Sequence, residues 1–168
     1  LGDVYKRQMF TLPDASKLTI RALAIYMGTA SLPVIASTAL DGPISLGFTS
    51  SVVPFLTVLG YPVKQLNQAI FLSLPSGKTA SFYINDACAG PASYSIFLFL
   101  NGLMILDFNV ERRWAAGSTV AGIAALYALN ILRVVLLVHT TYLYGEPAGA
   151  TMHLYLGYVL FSIFYLLY

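Results

Sequence analysis

Residues 115–144 read AAGSTVAGIAALYALNILRVVLLVHTTYLY, and the only charged side chain among them is Arg133. An α-helix rises 1.5 Å per residue, so a run of this length reaches about 45 Å, more than the roughly 30 Å of a bilayer's hydrocarbon core. The run is read as a membrane-spanning helix. At its start Gly117 with Ala121, Ser118 with Gly122, and Ala121 with Ala125 have the small-residue spacing that lets membrane helices approach closely.

Outward from this run the chain repeats the pattern. Residues 107–114 form the one clearly charged inter-helix loop, with Trp114 suited to a headgroup-level anchor. Before it lies an apolar run over 88–108. Further upstream are runs over 18–40, with Arg21 near its start and Pro33 inside, and over 44–60. Asp41-Gly42-Pro43 is a turn by residue chemistry, so these two runs are expected to form a helical hairpin. Downstream, Gly145-Glu146-Pro147 breaks the long run and residues 151–168 supply the last. Of the 168 residues 58% are hydrophobic and 10% charged, with a mean hydropathy of +0.75; soluble domains carry about 25% charged residues. The fold class is all-α, a polytopic membrane protein of about five transmembrane helices in one domain, residues 9–168.

Residues 61–87 depart from this pattern. Pro62, Lys64, Gln65, Asn67 and Gln68 are polar enough to leave the bilayer. Apolar and aromatic stretches at 69–74 and 79–84 then flank Pro75-Ser76-Gly77-Lys78, which predicts a short β-hairpin lying on the membrane surface and delivering the chain to Cys88. Residues 1–8 are set aside: Asp3 to Gln8 back-translates into the end of a common sequencing transposon. The expectation is an adapter read into the frame, with an upstream helix missing before Met9.

Several function classes are excluded. A formal charge of +2 without a basic run of five residues gives no nucleic-acid partner. One cysteine cannot form an intrachain disulfide, and two histidines and one thiol lack metal-ligand spacing, so neither a metal nor a cofactor is expected. The positive-inside rule puts Arg112 and Arg113 in the cytoplasm, so the Cys88 end of the third run and residues 61–87 and 145–150 face outward.

Three polar side chains then reach one level. Cys88 stands about 30 Å above Phe108, and Arg133 about 28 Å above Trp114 on the antiparallel neighbour. His153 is three residues into the last run, which also begins outside. Asn130, three residues before Arg133, is expected to hold the guanidinium, and Gly157 leaves room beneath His153. Ser95 and Gly102 continue the Cys88 face. Asp86 is the expected helix cap; Ser93 and Ser95 are secondary candidates, and His139 faces away from Arg133. A thiolate is a nucleophile, a histidine can serve as base and then acid, and an arginine can stabilise an oxyanion. Each also has a reading without chemistry. Cysteine packs as a small hydrophobe, histidine sits at interfaces, and arginine snorkels. On residues alone a transporter or channel fragment with Arg133 as its anion site remains open, as does a scaffold subunit.

Asp86-Ala87-Cys88-Ala89-Gly90, then Asn130-Ile131-Leu132-Arg133-Val134, then His153-Leu154-Tyr155-Leu156-Gly157 resemble, in this order, the exosortase/archaeosortase family. The approach Leu59-Gly60-Tyr61-Pro62-Val63 does so too, and the likeness covers residues 53–161. Ala89 stands where the family often has serine, and Pro91 where an aliphatic residue is more usual. The resemblance implies a membrane cysteine protease or transpeptidase in a bacterial or archaeal cell membrane. Its substrates would be exported proteins with a C-terminal tripartite signal of short motif, transmembrane helix and basic tail. Cys88 would attack, Arg133 and His153 would supply oxyanion and acid/base functions, and Asn130, Gly90 and Gly157 would support them. Transfer to a membrane lipid-type acceptor would follow.

Overall fold

The computed structural model describes residues 14–108 and 110–168; the expected adapter, residues 1–8, lies outside them. In chain order the elements are α1 (Asp14–Ala39), α2 (Asp41–Val58), β1 (Val63–Leu66), β2 (Ala69–Ser73), β3 (Thr79–Tyr83), α3 (Asp86–Ala89), α4 (Pro91–Phe108), α5 (Arg112–Tyr144) and α6 (Glu146–Leu167). Among the described residues, four helices are long and apolar enough to cross a membrane: α1 from Lys17, α4, α5 and α6. The chain is a multi-pass membrane protein. The fifth long helix, α2, differs in kind. Its 18 residues include Asp41 and two prolines. It turns a stripe of buried side chains, Ser45, Phe48, Thr49, Val52 and Leu56, into the interior.

The expected hairpin of α1 and α2 is joined through Leu40 alone, but its arms find their main partners elsewhere. α1 packs along α4, and α2 against β1, α3 and α5. Ser95 Oγ donates to Thr29 O at 2.7 Å across the α1–α4 contact, and a β-carbon at Gly102 would press on Ile25 at 3.1 Å. Ser95 and Gly102 therefore serve the α1 contact. In lipid, apolar area gives helices no reason to pair, so small residues and polar contacts select the partner. The same holds between α4 and α5: a β-carbon at Gly122 would overlap the Phe97 ring, and Asn101 Nδ2 donates to Thr119 Oγ1 at 2.7 Å.

The surface segment is a three-stranded antiparallel sheet in the order β1-β2-β3, one strand more than the expected hairpin. β1 escaped the sequence reading because its alternation, Val63-Lys64-Gln65-Leu66, is short and half polar. Asn67 at φ 53° makes the tight β1–β2 turn, a conformation asparagine tolerates better than most residues. The predicted Pro-Ser-Gly-Lys turn closes β2 on β3, with Gly77 at φ 78° and Leu74 N–H donating to Lys78 O at 2.8 Å.

α5 explains how sheet and bundle join. Its 33 residues extend about 50 Å, so one end outruns the roughly 30 Å hydrocarbon layer. There Val134 and Val138 enter a core with Phe48, Val52 and Leu56 of α2, Ile70, Leu72 and Ala80 of the sheet, and Ile84, Cys88 and Ala89. Tyr61 ties the start of the sheet to α5, hydrogen-bonding His139 Nδ1 through its hydroxyl and meeting the Tyr142 ring edge-on at 5.4 Å. His139 thus belongs to this clasp.

Candidate active site

The expected third helix is broken one turn after it begins. Cys88 lies in the short α3, Gly90 leaves the helical path at φ 85°, and α4 restarts at Pro91. Gly90-Pro91 makes this break for identifiable reasons. Glycine accepts the left-handed conformation, a residue before proline avoids the α region, and proline suits a first helical position. A β-carbon at Gly90 would also overlap the Asn130 side-chain amide. Position 90 is closed to side chains by both backbone and packing. Gly90→Ala is expected to cost roughly 2–4 kcal/mol, combining left-handed strain with overpacking. Denaturant or thermal unfolding of the purified protein measures it.

The cap of α3 is one residue earlier than expected. Asn85 Oδ1 accepts the Cys88 N–H at 3.2 Å, and Asn85 O accepts it at 3.0 Å; the Asp86 side chain lies outside the described residues. An asparagine bonding the amide three residues on is the usual capping arrangement. It commits the Cys88 N–H to the turn, so an oxyanion beside the thiol needs another donor.

Cys88 is buried, at 9% exposure, and borders a cavity of about 700 Å3. The same cavity is lined by Arg133 and His153. From α5 come Arg133, Val134, Leu137 and Thr141; from α6 come Glu146, Gly149, Ala150, His153 and Leu154; residues 80–84 supply a further wall. A second cavity, of about 470 Å3, lies against Gly90 at the break, Ser93 of α4, and Gly157 and Phe161 of α6. Arg133 and His153 line both. Ser93 is in the wall of the second, its carbonyl accepting from Tyr165 OH at 2.8 Å.

Gly157 is the seat of the guanidinium. A β-carbon there would touch Arg133 Nη1 at 3.4 Å and Cδ at 3.9 Å, so the arginine crosses from α5 to α6 one turn below His153. Methyl contact at that distance is ordinary, whereas a branched side chain would expel the head group. Gly157→Ala is therefore expected to retain activity within about threefold, and Gly157→Leu to lose about tenfold or more, since an ångström-scale misplacement can cost up to 10²-fold. Initial rates on a shared substrate compare them.

Asn130 is fully buried and donates through Nδ2 to Leu126 O at 3.0 Å. With its amide under Gly90, it shapes the turn that carries Cys88, in place of the expected clamp on Arg133. Its Oδ1 has no hydrogen-bond partner among the described residues. Arg133 is half-buried and has neither hydrogen bond nor ion pair among the described residues. A half-buried guanidinium with no carboxylate partner among the described residues is free to meet an anion there. Sequence reasoning missed Glu146, Thr141 and the β3 wall. Glu146 follows Gly145 in the break between two helices, a position that reads as a turn, and Thr141 sits two helical turns from Arg133 on one face.

A family model described as transmembrane exosortase matches residues 9–168. No curated protein and no solved structure matches the chain significantly.

Proposed function

We propose, from the premise that the chain belongs to the transmembrane exosortase family, that it is a membrane cysteine transpeptidase acting on exported proteins that carry a C-terminal tripartite signal. The observation that carries this reading is the cavity whose walls hold Cys88, Arg133 and His153 together. Cys88 Sγ, deprotonated by the His153 imidazole, adds to the carbonyl carbon of a peptide bond beside the signal. The tetrahedral oxyanion forms where the Cys88 amide is already committed, and the Arg133 guanidinium on the same cavity wall supplies the stabilising charge. His153 then protonates the leaving amine, and the carbon–nitrogen bond breaks to leave a thioester on Cys88.

An acceptor must reach that thioester after the leaving peptide has gone. The second cavity, also walled by Arg133 and His153 but lined further by apolar residues of α4 and α6, would give it a separate approach, which suits a lipid-type amine. Attack by the amine, whose proton passes to His153, breaks the carbon–sulfur bond, releases the thiolate and forms an amide. The positive-inside rule places this end of the bundle outside, because Arg112 and Arg113 begin α5 some 30 Å from Arg133.

The reading is tested by co-expressing the chain with an exported protein bearing a tripartite tail and following the tail by immunoblot. Loss of the tail only when the chain is present supports the proposal. A tail that persists in its presence, with the chain inserted and folded, contradicts it.

A further inference from the structure

We propose that the open edge of β3 is the docking strand for the substrate, which adds beside it as a fourth strand in extended form. The inference rests on the transpeptidase reading and supplies what that reading lacks, a means of holding the substrate backbone against Cys88.

Five successive residues, Ala80 to Ile84, line the cavity that holds Cys88. Side chains of a strand alternate between faces, so a cavity lying on one face would meet only every second residue. A continuous run of lining residues fits a cavity that reaches the strand's edge. The sheet ends there, since its order is β1-β2-β3.

The hydrogen-bond register identifies the groups on that edge. Ile84 N–H donates to Gln68 O at 2.9 Å, and Leu74 N–H to Lys78 O at 2.8 Å. These two pairs bracket the ladder in which Phe82 faces Ile70, Ser81 faces Phe71 and Ala80 faces Leu72. Bonded and non-bonded pairs alternate along an antiparallel ladder, so Ala80 and Phe82 spend their backbone groups on β2. Thr79, Ser81 and Tyr83 direct theirs away from it, toward the open edge. All three are exposed. Uncovered edges are a hazard that proteins usually block; this one borders the thiol.

The occupant is an unfolded polypeptide segment, the stretch of the exported protein just outside its own membrane helix. Strand addition draws affinity from main-chain bonds and specificity from pockets for alternate side chains. It also requires an extended chain, which a peptide bond under nucleophilic attack must present. Edge-to-edge pairing with a second copy of this chain is the competing occupant.

Ser81→Pro removes the edge N–H without touching the bonds to β2, and proline is tolerated where a strand N–H faces outward. Processing of a co-expressed tripartite substrate is expected to fall roughly tenfold, the effect of one lost hydrogen bond, with membrane insertion and thiol labelling of Cys88 unchanged. Ser81→Ala, which keeps the N–H, is expected to lose clearly less processing than Ser81→Pro. A second measurement does not depend on Ser81→Pro folding. In a Cys88→Ala background the chain has no native thiol, and Ser81→Cys supplies one. Single cysteines walked through the substrate segment are expected to cross-link to it at alternate positions. Normal processing by Ser81→Pro, cross-links without a two-residue period, or cross-links only between two copies of the chain would overturn the docking strand while leaving the transpeptidase reading intact. Absence of processing by the wild-type chain overturns both.

Discussion

Cys88→Ser and Cys88→Ala are both expected to abolish substrate processing, by at least about 10³-fold, while the protein still inserts and folds. Loss of a covalent nucleophile alone removes most of an enzyme's acceleration. The two substitutions fail for the same chemical reason but carry different structural costs. Alanine keeps the packing among Ile84, Ala89, Val134 and Val138. Serine places a hydroxyl in that apolar setting, at about 1–3 kcal/mol if it finds no partner. Equal loss of processing with unequal stability would show that chemistry, and not packing, is what Cys88 contributes. Cleavage in detergent or native membranes, alongside unfolding curves for both variants, separates the two quantities.

Arg133→Ala is expected to lower the rate by about 10²–10³-fold, the usual effect of removing one donor from an oxyanion site. The structure gives this residue no stabilising duty that competes with that role. It forms no ion pair or hydrogen bond among the described residues, and Gly157 leaves space for its head group. Replacing it should therefore leave stability nearly unchanged or improve it, because a half-buried charge with no partner among the described residues is removed. Arg133→Lys keeps the charge but loses the planar fork, and is expected to recover part of the rate only. A structural arginine would behave in the opposite way, with stability falling along with activity. An anion-transport role predicts a different pattern again, since transport would survive Cys88→Ala and fail with Arg133→Ala.

A common level for Cys88, Arg133 and His153 was inferred from the constant rise of a helix. Counting from Phe108 and Trp114 put the thiol and guanidinium at one level, and the fold sets both on one cavity. The Gly90 break needed more attention to a signal already present, since glycine followed by proline marks a chain that changes path. The cap was misplaced by one position because Asn85 and Asp86 are both competent, and only geometry chooses between neighbours. Helix partners were not legible. In water an apolar stripe marks the buried face, but in lipid every face of α1, α4 and α6 is apolar. Leu18, Leu23, Met27, Ile96, Tyr158 and Leu166 are all exposed on the protein and large. What decides the pairing is local: Ser95 against Thr29, and Phe97 against Gly122. The third strand was hidden by brevity, with four residues in β1.

The most direct test of the account is the mass of the chain isolated during turnover of a tripartite substrate, with the acceptor depleted so that the intermediate accumulates. The account predicts a species heavier by the substrate's acyl portion, located on Cys88, released by hydroxylamine as a thioester should be, and absent from Cys88→Ala. Cleaved substrate with no adduct on Cys88, or cleavage that continues in Cys88→Ala, would contradict it.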